Sequence, residues 1–293
     1  MKLLLTGATG QLGHDCRLVL EEKHEVAAFS SRELDITDET AVRAVLRKEK
    51  PDWIINCAAY TKVDRCETER DLAKRVNAMA PALLADRAAH AGSRLLHIST
   101  DYVFAGDRKP PAPYTETDAV GPISWYGATK LKGEQAALAA HPDNIVLRTA
   151  WVYGIHGHNF LKTMLKLALA DPAREIRVVN DQYGSLTWSF RLAKQIENLV
   201  QDGAAQGLYH ATADGHATWF EVAETFLTLM EAPHVISPCA TADYPTPARR
   251  PQNSILANKR LTREQRCVMR PWQEDLEKFA ATFRDRLLAE CRP

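Results

Sequence analysis

The sequence predicts an α/β protein: a doubly wound parallel sheet with a smaller α/β part toward the C-terminus. Three observations carry that reading. Short apolar runs alternate with amphipathic stretches through the first half. A glycine-rich turn joins the first apolar run to the first amphipathic stretch. After Trp151 the regular rhythm loosens. Strands that alternate with helices connect by crossovers, which cover both faces of a parallel sheet.

Residues 2–6 read as a buried strand and 11–22 as a helix. Residues 25–29 form a second strand, 39–49 a second helix and 52–56 a third strand. Residues 71–91 carry a long helical pattern, with Leu72, Val76, Leu83 and Leu84 among its apolar positions. A fourth strand (94–99), a helix (126–140) and a fifth strand (144–149) follow. Beyond Trp151, residues 158–170, 188–201, 219–231 and 272–288 look helical, and 238–251 is Pro-rich and polar. There is no internal repeat and no low-complexity tract.

Composition narrows the class. The 293 residues suffice for a nucleotide-binding domain and a sizeable appendage. Lys plus Arg and Asp plus Glu balance at 37 each, which lacks the basic surplus of a nucleic-acid binder. No two of Cys16, Cys57, Cys66, Cys239, Cys267 and Cys291 form a C-x-x-C pair, and no His cluster has zinc spacing. No metal is therefore expected. Reduced thiols and an N-terminus (MKLLLTGATG) too short in apolar length for a signal peptide suggest a cytoplasmic protein. No run of 18 apolar residues suggests a membrane span.

The segment T6-G-A-T-G-Q-L-G13 places Gly7, Gly10 and Gly13 between a strand and a helix. A tight turn there brings backbone N–H groups close to a pyrophosphate, and the helix N-terminus favours the anion. This predicts a Rossmann-type dinucleotide-binding domain over residues 1–150, with 151–293 mainly substrate-binding. The boundary is soft, because later segments are free to return to the first sheet. NAD-specific sites place an acid at the end of the second strand. Here A28-F-S-S-R32 has none before Glu33. The hydroxyls of Ser30 and Ser31 and the guanidinium of Arg32 suit a 2′-phosphate, so NADPH is expected, with NADH the lesser alternative. Asp35 and Ile36 follow, where related nucleotide-binding proteins hold the adenine.

Ser99-Thr100-Asp101 ends the fourth strand, and Tyr126-G-A-T-Lys130 begins a helix. Strand C-termini of a parallel sheet open onto the ligand crevice. Tyr126 and Lys130, four apart, share a helix face. An ammonium beside a phenol lowers its pKa toward operating pH, so Tyr126 is the candidate proton donor to a developing alkoxide. Thr100 can bond the same oxygen. Asn77 lies in the preceding long helix.

These motifs together resemble the extended short-chain dehydrogenases and reductases. The match narrows with N56-C-A-A-Y-T-K-V-D64, S99-T-D-Y-V-F104, S124-W-Y-G-A-T-K-L-K-G-E134, R148-T-A-W-V-Y153, N180-D-Q-Y-G184 and Y244-P-T-P-A-R-R-P-Q-N-S254. Nearly end to end, the chain is similar to the dTDP-4-dehydrorhamnose reductase family. The resemblance implies reduction of a dTDP-linked 4-keto sugar by NADPH. It puts Gly10, Gln11 and Leu12 at the cofactor phosphates. Ala58, Ala59, Tyr60 and Thr61 would border the cofactor. Asp101, Tyr102 and Trp151 would lie against the sugar. Arg249 and Arg250, braced by prolines, would clamp the substrate diphosphate. Some family members bind magnesium through acids at a dimer contact. This chain has Asp15 near the first such position but reads T-W-S-F-R-L over 187–192, which argues against a metal-bridged dimer. A monomer or homodimer is expected. The same fold also serves a regulatory subunit, the methionine adenosyltransferase beta subunit, and epimerases or dehydratases that retain NAD. The intact Thr100, Tyr126 and Lys130 and the Arg32 loop favour a reductase over both.

Overall fold

The computed structural model describes residues 1–203 and 205–292. Its first half runs β1 (Lys2–Thr6), α1 (Gln11–Leu20), β2 (Glu25–Phe29), α2 (Glu39–Glu49) and β3 (Trp53–Asn56). Two short helices follow, α3 (Val63–Cys66) and α4 (Arg70–Lys74). A π turn (Arg75–Met79) leads into α5 (Ala80–Ala91), then β4 (Arg94–Thr100), α6 (Trp125–Ala140) and β5 (Ile145–Thr149). The long helix expected over 71–91 is thus interrupted. Pro81 has no N–H to return to the carbonyl of Asn77 four residues back, and a π turn relieves the mismatch.

The second half runs β6 (Val152–Tyr153), α7 (Phe160–Ala170), β7 (Glu175–Val179), β8 (Tyr183–Gly184), β9 (Thr187–Trp188) and α8 (Ser189–Gln201). After these come β10 (Gly207–His210), β11 (Ala217–Thr218), α9 (Trp219–Leu229), β12 (Val235–Cys239), α10 (Lys259–Arg263) and α11 (Trp272–Cys291). The four helices stand where the sequence placed them. Strands were expected among them but given no ranges.

Six parallel strands form the main sheet in the order β10-β5-β4-β3-β1-β2. Both faces are apolar with period two. Leu3, Leu5, Ile55, Leu96 and Leu147 pack against α1 and α8, while Leu4, Ile54, Leu95 and Val146 pack against α2, α5 and α6. Strand β10 and helix α8 belong to this layer although they lie beyond residue 150. Order reverses between β1 and β3, which opens the crevice at their carboxyl ends. A second core joins α7, α9 and α11 around Phe226 and Phe279. Three two-stranded ladders, β7–β12, β8–β11 and β6–β9, tie this part to the rim of the crevice. Among the described residues no helix is long and apolar enough to cross a membrane.

Candidate active site

The glycine turn comes first. Gly7 adopts φ +68°, and a Cβ on Gly13 would lie 2.0 Å from the Gly7 carbonyl, so the turn closes only without side chains. Gly10 caps α1 with no side-chain acceptor. The first-turn N–H groups of Gln11, Leu12 and Gly13 therefore face a cavity of about 1420 Å³ lined by these residues. An open helix N-terminus in a glycine cradle fits a dinucleotide pyrophosphate. Gln11 also holds the two halves together: its Nε2 donates to Val152 O at 2.8 Å, and its Oε1 accepts from Asn159 Nδ2 at 2.9 Å.

The same cavity is walled by Ala59, Thr61, Thr100, Asp101, Tyr102, Tyr126, Lys130, Trp151 and Arg250. Other residues singled out from sequence stand off its wall. Gly7 and Ala58 pack against each other beneath the turn. Tyr60 is held by its backbone, which exchanges bonds with Asn77 (2.8 and 3.0 Å), while its hydroxyl donates to Glu69. Ser31, Arg32 and Asp35 are exposed past β2, and Ile36 is buried beneath them. There Ser30 N–H and Oγ–H both donate to Glu33 (2.8 and 2.7 Å), and Asp35 closes a turn with Thr37. Arg249 is exposed, because neighbours along an extended segment point to opposite sides. Arg250 alone of the pair faces the cavity, clasped to Asp64 by Nη1 (3.0 Å) and Nη2 (2.9 Å). Asp15 is buried, its carboxylate accepting from Ser189 Oγ.

Helix α6 delivers the central pair. Ser124 caps it by accepting from Gly127 N at 3.2 Å. A Cβ on Gly127 would fall 2.2 Å from Tyr102 O, so glycine lets the helix start lie directly on the turn after β4. Tyr126 packs edge-on to Tyr102, ring centroids 5.5 Å apart. Burial raises the Tyr126 phenol above its ordinary value, with the Thr100 hydrogen bond opposing and Asp101 adding to the rise. Lys130, expected to lower this phenol, does not offset that rise. Lys130 is itself buried, which pulls it from 10.5 to about 8, and its Nζ is turned onto Ile98 O at 2.5 Å. The phenol keeps its proton at neutral pH and so has one to donate, though the rise makes it a weaker acid than one tuned near operating pH. Asp101 is pushed up to about 6 by burial, against the bond that Thr100 Oγ1 donates to its Oδ1 at 2.9 Å.

Beneath α6 lies a buried ion pair. Arg148 Nε donates to Glu134 Oε2 at 2.9 Å, Nη2 bonds Oε1, and Ser99 Oγ adds a bond at 2.8 Å. The substrate end carries groups that sequence reading did not single out. Trp219 stacks on Trp151, centroids 3.6 Å apart and planes at 9°. Arg177 on β7 lines the cavity and pairs with Asp243 at 3.0 Å. Both come from segments distant in sequence and carry no local motif. Trp219 follows a capping box, Thr218 with Glu221, but that signal marks a helix start and not a site. Among the described residues no group of three or more His, Cys, Asp or Glu could hold a metal ion.

By fold and by likeness the chain is an oxidoreductase built on a Rossmann-type parallel sheet. It belongs to the family described as RmlD substrate binding domain, which matches residues 1–285. It is 42% identical over 287 residues to a dTDP-4-dehydrorhamnose reductase of Mycolicibacterium smegmatis, covering 96% of this chain and 85% of that one. It is 41% identical over 296 residues to a probable dTDP-4,6-dihydroxy-2-methyloxan-3-one 4-ketoreductase of Streptomyces antibioticus, covering 100% and 98%. The crystal structure of dTDP-4-dehydrorhamnose reductase from Bacillus anthracis in complex with NADP matches with a TM-score of 0.92 at 38% identity, covering 96% of this chain and 99% of that one.

Proposed function

We propose that this chain reduces the 4-keto group of dTDP-4-dehydro-L-rhamnose to the alcohol of dTDP-L-rhamnose, using NADPH. The observation that carries the reading is one cavity wall on which Thr100, Tyr126 and Lys130 stand between the glycine turn and the Trp151–Trp219 stack. NADPH, when bound, supplies the hydride that reaches the carbonyl carbon. The open N-terminus of α1 would hold its pyrophosphate, and Arg32 its 2′-phosphate.

Tyr126 gives its proton to the carbonyl oxygen as charge develops there, and Thr100 holds that oxygen by hydrogen bond. Lys130 supports the phenolate that remains. The stacked Trp151 and Trp219 would exclude water beside the apolar side of a deoxyhexose, while Arg250 would meet the substrate diphosphate. Purified protein, NADPH and a panel of dTDP- and UDP-linked 4-keto-6-deoxy sugars, followed by loss of reduced-nicotinamide absorbance, test the reading. The dTDP-4-dehydro-L-rhamnose reaction is expected to have the highest kcat/KM. Turnover of none of them would leave a binding protein on a reductase fold.

A further inference from the structure

His97 is fully buried on β4 and has no part in the chemistry above, yet its ring lies between Asn56 and Lys130. The Asn56 amide cannot turn freely. Its Oδ1 accepts from Thr6 Oγ1 at 2.7 Å and from the backbone N–H of Ala58 at 3.2 Å, and a backbone N–H can only donate. The opposite corner, Nδ2, therefore faces His97 Nδ1 at 3.0 Å as a donor. A ring nitrogen that accepts carries no proton, so in the neutral ring the proton sits on Nε2. Burial, with Lys130 adding, holds His97 well below its ordinary pKa, so the ring is neutral. Its Nε2 lies 3.4 Å from Lys130 Nζ.

We infer that His97, in a tautomer fixed by Asn56, is a positioning residue for Lys130: it shows Nζ an N–H and not a lone pair. The inference rests on the reading of Tyr126 and Lys130 as the proton-handling pair. An ammonium facing an N–H gains no bond on that side. Its protons go to Ile98 O and to the cavity side, where Tyr126 and a nicotinamide ribose would accept them. The same N–H can donate to the lone pair of the uncharged amine, so it favours loss of the lysine proton. Other charged or titratable groups facing Nζ are Cys57 after β3 and Glu134 on its own helix, both of which favour the ammonium. Glu134 is occupied by Arg148 and Ser99. His97 is the one neighbour in this set that opposes the charge.

Ring ¹⁵N–¹H correlation spectra of histidine-labelled protein read the tautomer without any activity assay. His97, assigned by its loss in His97→Asn, is expected to keep a bare Nδ1 and a protonated Nε2 from about pH 6 to about pH 9. A proton on Nδ1 overturns the inference. In Asn56→Asp the carboxylate still accepts from Thr6 and Ala58 but now draws the ring proton to Nδ1. A ring that keeps Nε2–H there shows that Asn56 does not set the tautomer. The alkaline limb of kcat/KM is expected to move up by about one pH unit in His97→Asn, with NADPH binding retained. Lower activity with an unmoved limb would make His97 merely structural. If His97→Asn does not fold, His97→Gln is read the same way. Tyr126→Phe and Lys130→Met run alongside. If they keep full turnover, the proton-handling reading itself fails. If they lose it while the limb stays fixed, only the role of His97 fails.

Discussion

Two cations are buried at helix α6, Lys130 carried on it and Arg148 reaching from β5 to Glu134 one turn further along, and they are treated in opposite ways. Arg148 is gripped by both oxygens of Glu134, a bond from Ser99 satisfies the carboxylate further, and the guanidinium lies over Phe104. Lys130 is as deeply buried, but among the described residues no carboxylate bonds it. It donates to the Ile98 carbonyl and faces the His97 ring. A buried charge with a carboxylate partner is a fixed part of the scaffold. A buried charge without one titrates near working pH, at about 8 here, and favours any anion that forms beside it. The pair clamps α6 to β4 and β5, and the clamp aims the lysine.

Breaking the unpaired side is expected to give the largest effect. Tyr126→Phe and Lys130→Met should each lose about 10²–10⁴-fold in kcat. Melting temperature should stay level or rise in Lys130→Met, because an uncompensated buried charge is removed. Stopped-flow turnover and calorimetry on the same preparations check both halves. A Lys130→Met protein that melts well below wild type would show the lysine to be structural as well.

Breaking the paired side should show the reverse. Glu134→Ala leaves Arg148 buried with no carboxylate to balance its charge, which costs about 3–5 kcal/mol of stability. Replacing both residues, Glu134→Gln with Arg148→Met, should recover much of that loss, since no lone charge remains. Denaturant titrations measure the three variants. A double variant no better than the single one would mean that packing, not charge, dominates this site.

Asp101 sharpens the contrast, being a buried carboxylate whose Oδ2 has no hydrogen-bond partner. Its pKa is about 6 in the folded protein against 3.8 in the unfolded chain. A raised carboxyl pKa means that ionisation destabilises the fold. The cost is complete above about pH 6, shrinks as pH falls and is gone below about 3.8. Asp101→Asn should therefore add at most about 3 kcal/mol at pH 7.5 and nothing near pH 3.5. A gain independent of pH would assign the effect to something other than this charge.

The parts of this arrangement that share a short stretch of chain were legible in the sequence. Gly7, Gly10 and Gly13, Thr100 with Asp101, and Tyr126 with Lys130 carry their meaning in spacing along one turn or one helix. Long-range meetings were not legible. Asn56 and His97 lie 41 residues apart, and Trp219 meets Trp151 across the fold. The two-residue strands β6, β8, β9 and β11 are too short to show a period, so their segments read as loop. Pro81 inside the pattern 71–91 was a signal for the interruption that was passed over, and the π turn it marks contains Asn77. The rise of the Tyr126 phenol was not legible, because spacing along a helix says nothing of burial.

Arg32 extends the comparison to a cation that is not buried, and it should give the smallest effect. It lies exposed past β2 beside Ser30 and Ser31, with Ser30 drawn onto Glu33. A guanidinium in water pays little desolvation to meet a 2′-phosphate, but solvent and salt screen what it gains. A charge-assisted hydrogen bond contributes about 1.5–3 kcal/mol. Arg32→Ala should therefore lower the preference for NADPH over NADH by about one to two decades, leaving NADH affinity nearly unchanged. The wild-type preference should also fall as ionic strength rises, while that of Arg32→Ala stays nearly flat. Titrating both cofactors against both proteins at low and high salt checks the two statements. Equal losses for NADPH and NADH would move the reader of the 2′-phosphate away from Arg32 to the Ser30 and Ser31 donors, whose competition with Glu33 would then set the preference.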